Sequence, residues 1–221
     1  MNKTFLRRSC FVLTALMFGA SVWAWPQVPA DVALPVHWGF DLQPDRYGGK
    51  FEGLFMMPLV GIVISLVWAL APRFAPRRRN LRRSGTAYDA VCVAVMAFMT
   101  MLHGAIVMQA TGTPLSMSLV LPVALGLLLM AVGNLMGKIR SNYLVGVRTP
   151  WTLSSDLSWD KTNRLAGRML VGLGGGIMLT GLLGGNTIIL STLLGGLVAM
   201  VLVVFPYSHR VWSRDPNRRE R

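Results

Sequence analysis

Long uncharged apolar runs alternate with shorter polar segments along this 221-residue chain. The apolar runs lie at residues 9–30, 53–72, 90–137 and 169–209. Each meets or exceeds the roughly 20 residues that a helix needs to cross the hydrocarbon core of a bilayer. Because a lone span in lipid must satisfy its own backbone hydrogen bonds, these runs predict membrane-spanning helices.

Two of the runs are too long for a single crossing. A Thr-Gly-Thr-Pro segment at 111–114 interrupts the third run, and a Gly-Gly-Asn segment at 184–186 interrupts the fourth. Both segments are turn signals, so each run predicts a helical hairpin with a short connection. The sequence thus predicts six spans, near residues 9–27, 53–72, 90–110, 115–137, 167–184 and 187–207.

Composition agrees with a membrane protein, and the distribution of charge predicts its orientation. Charged residues make up only 14% of the chain, against roughly 25% in soluble domains. Of the 22 Lys and Arg, 20 lie in the N-terminus, the 73–89 and 138–168 loops and the C-terminal tail. Since basic residues are retained on the cytoplasmic side, both termini are expected in the cytoplasm. Topology and anionic lipid headgroups account for the net charge of +13, so no direct nucleic-acid binding is predicted.

The first span has two interpretations. Basic residues among the first eight positions, an apolar stretch and Val22-Trp23-Ala24 are also typical of a cleaved signal peptide. Val22 fits the cleavage position loosely and Trp23 suits an interfacial anchor, which favours an uncleaved helix. Cleavage would leave five spans and keep every later loop on its side.

Candidate chemistry is sparse. The histidines lie in separate segments, and the sequence has no metal-ligand spacing, no GxSxG motif and no P-loop. We therefore predict no enzyme, cofactor or metal site. Within the third span, His103 is expected to be a neutral imidazole that bonds a neighbouring helix, and the alternative is a functional intramembrane group. Cys10 and Cys92 are expected to be buried small side chains.

Small residues spaced four apart in the last apolar run predict a close helix contact. They are Gly172 with Gly176, and Gly181 with Gly185. The spacing leaves open whether the contact forms within the chain or between protomers of a homo-oligomer.

The outer polar segment, residues 34–50, is rich in proline, glycine and aromatic residues. Its Pro44-Asp45 pair and paired glycines predict an ordered turn. One interpretation is a binding surface, and the alternative is a connector that Trp38 and Tyr47 hold at headgroup depth. The candidate outer-loop residues are His37, Trp38, Asp45, Arg46 and Gly48.

The inner polar segment, residues 142–164, is more informative. Pro150 disfavours helix at Thr149, and Ser154 or Ser155 can then cap a short helix. Along that helix one face carries Leu157, Lys161, Arg164 and Arg168, a basic stripe toward lipid headgroups or an acidic partner.

Aromatic and basic side chains of this segment are expected to fix its position. Trp151 and Trp159 would anchor it at the membrane interface. Arg148 would anchor the loop on an acid such as Asp156 or Asp160, or on a partner. The candidate partner-binding residues are Asn142, Gly146, Arg148, Thr149, Pro150, Trp151, Thr152, Trp159, Lys161, Thr162, Asn163 and Arg164.

These residues, with Gly133-Asn134 upstream, resemble the signature of the SdpI family. Its members are bacterial membrane proteins named for immunity to a secreted sporulation-delaying toxic peptide. The outer segment, with Leu34-Pro35, His37-Trp38 and the 44–48 stretch, resembles the DUF1648 region often joined to that family. The family usually carries a glycine before the Pro-Asp pair, where this chain has Leu42.

The resemblance implies an all-α, multi-pass protein of the bacterial inner membrane that protects its host against a membrane-active antimicrobial peptide. It divides the chain into a DUF1648-like region at 1–85, with two spans, and an SdpI-like region at 86–221, with four. The implied partners are the lipid bilayer, a toxic peptide on the outer face and an ArsR-type repressor retained on the cytoplasmic face, which implies a role in signal transduction. The alternative function is a small transporter or permease.

Overall fold

A computed structural model describes residues 3–39 and 41–218, with side chains described from residue 8. The basic side chains of residues 3, 7, 219 and 221 therefore lie outside the described part. A two-stranded sheet accompanies the helices. The elements are α1 (Lys3–Ala24), β1 (Leu34–Trp38), β2 (Pro44–Gly48), α2 (Lys50–Phe74), α3 (Arg78–Arg83), α4 (Thr86–Ala110), α5 (Met117–Met136), α6 (Pro150–Ser154), α7 (Asp156–Leu183) and α8 (Asn186–Ser213).

Six of the described helices are long and apolar enough to cross a membrane, namely α1, α2, α4, α5, α7 and α8. They coincide with the six predicted spans, so the all-α polytopic membrane fold is confirmed. The two predicted hairpin tips are also present. Gly112 lies at one tip with φ of 91°, and Gly184 and Gly185 lie at the other with φ of 82° and 110°. Glycine adopts these conformations without the penalty that a Cβ would bring.

Polar bonds within the bilayer tie α1 to α2 and α4. His103 is 1% exposed, and its Nε2 donates to the Met17 carbonyl at 3.1 Å and lies 3.0 Å from Ser21 Oγ. Ser21 in turn donates to the Leu54 carbonyl. The expected histidine, bonded to a neighbouring helix, is confirmed. The expected burial of both cysteines is also confirmed, and Cys10 Sγ lies 3.7 Å from Cys92 Sγ.

The closest helix contact joins α5 to α7. Gly181, one of the predicted glycines, takes part in it, since a Cβ there would lie 2.6 Å from Pro122 Cβ of α5. A Cβ on Gly174 would lie 2.5 Å from the Gly126 carbonyl oxygen, and one on Gly133 would lie 2.5 Å from the Gly167 oxygen. The prediction for Gly172 is wrong, because a Cβ there would meet nothing within 4 Å. The contacting glycines are seven apart on each helix, a spacing that keeps one side of a helix facing its neighbour.

Helix α7 runs without interruption from the inner loop into the membrane. A separate short helix before a span starting near 167 was expected, and this expectation is wrong. No proline lies between residues 156 and 183. Because the first turns of α7 bury Ser158, Thr162 and Asn163, they are held by packing rather than by a lipid surface.

The connections gather at two opposite ends of the bundle. At one end the α2–α4 connection meets the 137–155 segment, since Asn80 Nδ2 donates to the Ser141 carbonyl at 2.8 Å. The C-terminal tail joins them, because Ser155 donates to Asp215. At the other end the β1–β2 hairpin reaches the α7–α8 turn, where Asn186 donates to the Asp41 carbonyl. The basic loops therefore share one end.

Candidate functional site

The basic end of the bundle carries an ordered segment, residues 138–164, which we call the signature loop. Asn142 is fully buried and fixes its first turn. The side-chain amide donates to the Arg140 and Val145 carbonyls at 2.8 and 3.0 Å, and its oxygen accepts from the Leu144 and Val145 amides at 2.7 and 2.8 Å. One side chain thus replaces the backbone pairing that a helix or sheet would provide.

A second buried asparagine closes the loop onto α7. Asn163 accepts from the Val147 amide at 2.8 Å and donates to the Trp159 carbonyl at 3.0 Å. Trp159, only 1% exposed, donates from Nε1 to the Ile139 carbonyl at 2.7 Å. Gly146, with φ of 124°, passes so close that a Cβ would lie 2.8 Å from Asn163 Oδ1 and 2.9 Å from the Trp159 ring. Only glycine fits this crossing.

Two threonines shape the middle of the loop. Thr149 caps α6 by accepting from the Thr152 amide at 3.1 Å, while the Thr149 amide donates to Thr152 Oγ1 at 2.9 Å. This reciprocal capping satisfies two otherwise unpaired backbone donors. Thr149 also donates to Ser208 of α8 at 3.2 Å. The predicted cap at Ser155 is confirmed, since Ser155 Oγ accepts from the Ser158 amide at 2.9 Å.

The α2–α4 connection supports the loop from its other side. Arg77 donates to Ser141 Oγ and to the Leu153 carbonyl, and its guanidinium lies 5.2 Å from the Tyr143 ring centroid. Ser84 Oγ accepts from the Arg140 amide at 3.1 Å. The signature loop is therefore held by several separate parts of the chain.

Basic side chains form the exposed face of the signature loop and α7. Lys161, Arg164 and Arg168 are all exposed, which confirms the predicted basic stripe. Arg164 and Arg168 also line a cleft of about 320 Å³ with Asn134, between the end of α5 and α7. This cleft offers guanidinium and amide donors to a carboxylate or phosphate.

Arg148 is exposed, but its internal partner differs from the one expected. It donates to the Tyr143 carbonyl at 2.5 Å, and the expected anchor on Asp156 or Asp160 is wrong. In the described chain Asp160 lies 3.8 Å from Arg140 instead. Arg148 therefore closes the loop through a backbone carbonyl rather than an ion pair.

At the opposite end of the bundle, the expected ordered turn is a β-hairpin. Strands β1 and β2 pair antiparallel, with His37 opposite Arg46 and Trp38 opposite Pro44. His37 Nδ1 lies 2.6 Å from Asp45 Oδ1, and these side chains are 64% and 51% exposed. The predicted site residues His37 and Asp45 are therefore adjacent and accessible, while Arg46 pairs with Glu52 of α2 at 2.8 Å.

A cavity of about 140 Å³ lies beneath the hairpin and extends between α2, α4 and α5. Trp38 and Arg46 line it from the hairpin, and Met56, Met57 and Met117 line it from the helices. Methionine side chains are flexible and polarizable, so such a cavity adapts to apolar groups of different shapes.

Leu42 lies in the turn between the two strands of the hairpin. It has φ of 58°, an unusual conformation for a residue with a Cβ. Its side chain packs against the cluster of Leu173, Ile177 and Ile189 of α7 and α8. This apolar contact offsets the backbone cost and attaches the hairpin to the second half of the bundle.

Two family models match segments of this chain, one toward each end of the sequence. Residues 138–208 match the model of the SdpI/YfhL protein family, and residues 12–62 match the domain of unknown function DUF1648. The resemblance to the SdpI family is confirmed. Over 199 residues the chain is 24% identical to Immunity protein SdpI of Bacillus subtilis (strain 168), covering 90% of this chain and 92% of that protein. No solved structure matches the chain.

The candidate residues of the signature loop divide into a buried framework and an exposed surface. Trp159 is not an interfacial anchor as expected, because its ring is enclosed by the loop. Trp151 is half-buried against Phe205 and His209 at 4.8 and 4.9 Å between ring centroids. The fully enclosed members of the predicted set are Asn142, Thr152, Trp159, Thr162 and Asn163. In this conformation they cannot contact a partner and instead hold the exposed residues in place.

Sequence reasoning missed several residues that support the SdpI signature. Arg77, Asn80 and Ser208 bond the loop from other elements, and Asp215 accepts from Ser155. The only signal in the sequence was a polar residue inside or beside an apolar or basic segment, which is too general to identify a partner.

Proposed function

We propose that this protein is an SdpI-type immunity protein of the bacterial inner membrane that protects its host from a membrane-active peptide. The observation that carries the proposal is the presence of both family segments as ordered structures at opposite ends of one bundle. The basic end would face the cytoplasm and the hairpin would face outward, as the distribution of Lys and Arg favours.

The hairpin would meet the peptide. Its exposed His37–Asp45 pair offers a hydrogen-bonding edge, and the methionine-lined cavity below it offers an apolar receptor for a peptide side chain. Net charge at this end is low, so shape and apolar contact rather than long-range steering would govern binding.

The signature loop would retain a soluble protein, such as an ArsR-type repressor, at the membrane. Its framework is rigid enough to present Arg148, Lys161 and Arg164 at fixed positions. Preorganised guanidinium groups recognise carboxylates with less entropy loss than mobile ones.

Protection can be measured in a peptide-sensitive Bacillus host that lacks its own immunity protein. Cells expressing this chain are challenged with the sporulation-delaying peptide and with a panel of other membrane-active peptides, and membrane potential and survival are followed. We expect protection against at least one peptide at normal membrane abundance. Protein that accumulates in the membrane but protects against none contradicts the proposal.

Retention is tested with a fluorescent fusion of the ArsR-type repressor encoded nearest to the gene. Lys161→Gln with Arg164→Gln should release the fusion into the cytoplasm. Arg79→Gln with Arg83→Gln removes the same charge at the same end and should leave the fusion at the membrane. If both variants release the fusion equally, the stripe acts only through its general positive charge, and specific recognition by Lys161 and Arg164 is contradicted.

A further inference from the structure

A membrane-facing slot between α1, α2 and α4 has no part in the proposed function. It is a cavity of about 590 Å³ with almost entirely apolar walls, including Phe11, Phe18, Ile62, Leu66 and Trp68. Phe11 is 75% exposed and Leu66 is 55% exposed, so the slot lies on the surface that the bilayer covers. We call it the apolar slot.

A second cavity of about 410 Å³, the arginine recess, adjoins the apolar slot at the basic end. Arg73, Arg78 and Arg82 line it, and Ala69 and Asp89 belong to the walls of both cavities. The two cavities therefore form one surface that changes from apolar to basic along α2. With Asp89 included, the charged side chains lining the recess leave an excess of two positive charges.

We propose that the apolar slot and the arginine recess together bind one anionic phospholipid. An acyl chain would lie in the slot, and the phosphate would lie among the three arginines. Arginine recognises phosphate oxygens bidentately, and a phospholipid has its apolar and anionic parts in the same order as these cavities. A lipid is also the molecule that reaches a slot opening inside the bilayer.

The indole of Trp68 gives a second reason. Its Nε1–H is buried and has no hydrogen-bond partner among the described residues, although Trp68 lines the apolar slot. A buried donor without a partner costs free energy. The indole would have to be uncovered when an ester carbonyl of the lipid, which lies between the phosphate and the acyl chain, accepts from it.

The site would act on the signature loop through α3. Asn80 of α3 and Arg77 just before it bond Ser141 of the loop, whereas Arg78 and Arg82 of α3 line the recess. A bound lipid would therefore hold the helix that bonds the loop.

Native mass spectrometry of the full-length protein tests the proposal. The protein is taken from nanodiscs containing phosphatidylglycerol and phosphatidylcholine in equal amounts, and lipids retained after detergent exchange are counted. We expect one phosphatidylglycerol per chain, in preference to phosphatidylcholine. Equal retention of both lipids would show that only unselected bilayer lipid remains bound, and this would overturn the proposal.

Two double variants distinguish binding in the recess from a general effect of positive charge on lipid binding. Arg78→Gln with Arg82→Gln should weaken phosphatidylglycerol binding about 25-fold, at about fivefold for each basic residue near an anionic lipid. Arg79→Gln with Arg83→Gln changes the same helix by the same charge outside the recess walls, and it should retain the lipid. Equal loss in both variants contradicts a specific site.

Fluorescence provides a readout that keeps the charges intact. Brominated phosphatidylglycerol should quench the Trp68 contribution, measured as the difference from Trp68→Phe, more than brominated phosphatidylcholine does. Ala69→Phe, which narrows the passage shared by the two cavities, should abolish that preference. Identical quenching by both lipids in the unsubstituted protein would exclude the proposed lipid.

Discussion

Gly146 is the residue on which the conformation of the signature loop depends most directly. Its φ of 124° and its approach to Asn163 and Trp159 leave no room for a Cβ. We expect Gly146→Ala to lower the free energy of unfolding by about 3 kcal/mol through backbone strain and overpacking. Thermal unfolding in detergent, with trypsin cleavage near Arg148 as a local probe, measures the effect.

Gly172→Ala is the matched control, because a Cβ there meets nothing within 4 Å. It should leave both the unfolding temperature and the cleavage rate unchanged. If Gly146→Ala leaves the unfolding temperature and the cleavage rate unchanged as well, the loop can accommodate a Cβ at residue 146, and the prediction is wrong.

Single residues of the signature were easier to predict than their roles. The sequence identified Asn142, Trp159 and Asn163, but a polar or aromatic residue in a basic loop between spans is ordinarily taken as exposed. Their burial arises because side-chain amides replace regular backbone pairing in a loop that other elements enclose. That enclosure depends on distant residues such as Arg77 and Ser208, which no local pattern connects to the loop.

At the scale of helices, the α5–α7 contact can be tested with adjacent glycines. Gly174→Ala places a methyl group 2.5 Å from the Gly126 carbonyl oxygen, so the helices must separate. We expect a loss of about 2 kcal/mol, from the usual cost of overpacking. Gly175→Ala meets nothing within 4 Å and should be neutral in the same detergent-unfolding measurement.

The β1–β2 hairpin gives a functional prediction. His37→Ala with Asp45→Ala removes an exposed pair, which contributes only about 0–1 kcal/mol to stability. We therefore expect protection against the cognate peptide to fall while membrane abundance stays normal. Asp31→Ala changes the same net charge on an exposed outer residue beyond the hairpin strands and should preserve protection. Equal protection by both variants would favour the connector interpretation.

Long elements were predictable and short ones were not. The six spans follow from apolar length, which is a property of the sequence alone. The five-residue strands, α3 and α6 depend on tertiary contacts, such as Leu42 against α7 and α8. Of the predicted glycines, Gly181 faces α5 but Gly172 does not, because several glycines occur on α7 and spacing alone does not identify the partner helix.

For the whole molecule, orientation is the prediction with the clearest outcome. A reporter that is active only outside the cytoplasm should function after Gly112 or Asn186, since these lie at the end with few basic residues. The same reporter should be silent after Arg83 or Arg164, and alkaline phosphatase activity of the four fusions measures this. Activity after Arg83 or Arg164 would reverse the assignment of both ends.

The unbroken length of α7 has a mechanical consequence. At about 1.5 Å per residue, its 28 residues span about 42 Å, and the helix interior contains no proline. One end starts at the Ser155 cap, and toward the other end Leu173 and Ile177 belong to the cluster against which Leu42 of the hairpin packs. A displacement of the hairpin would thus move α7 as a rigid body. The signature loop at the other end of α7 would then be displaced without any helix having to unwind.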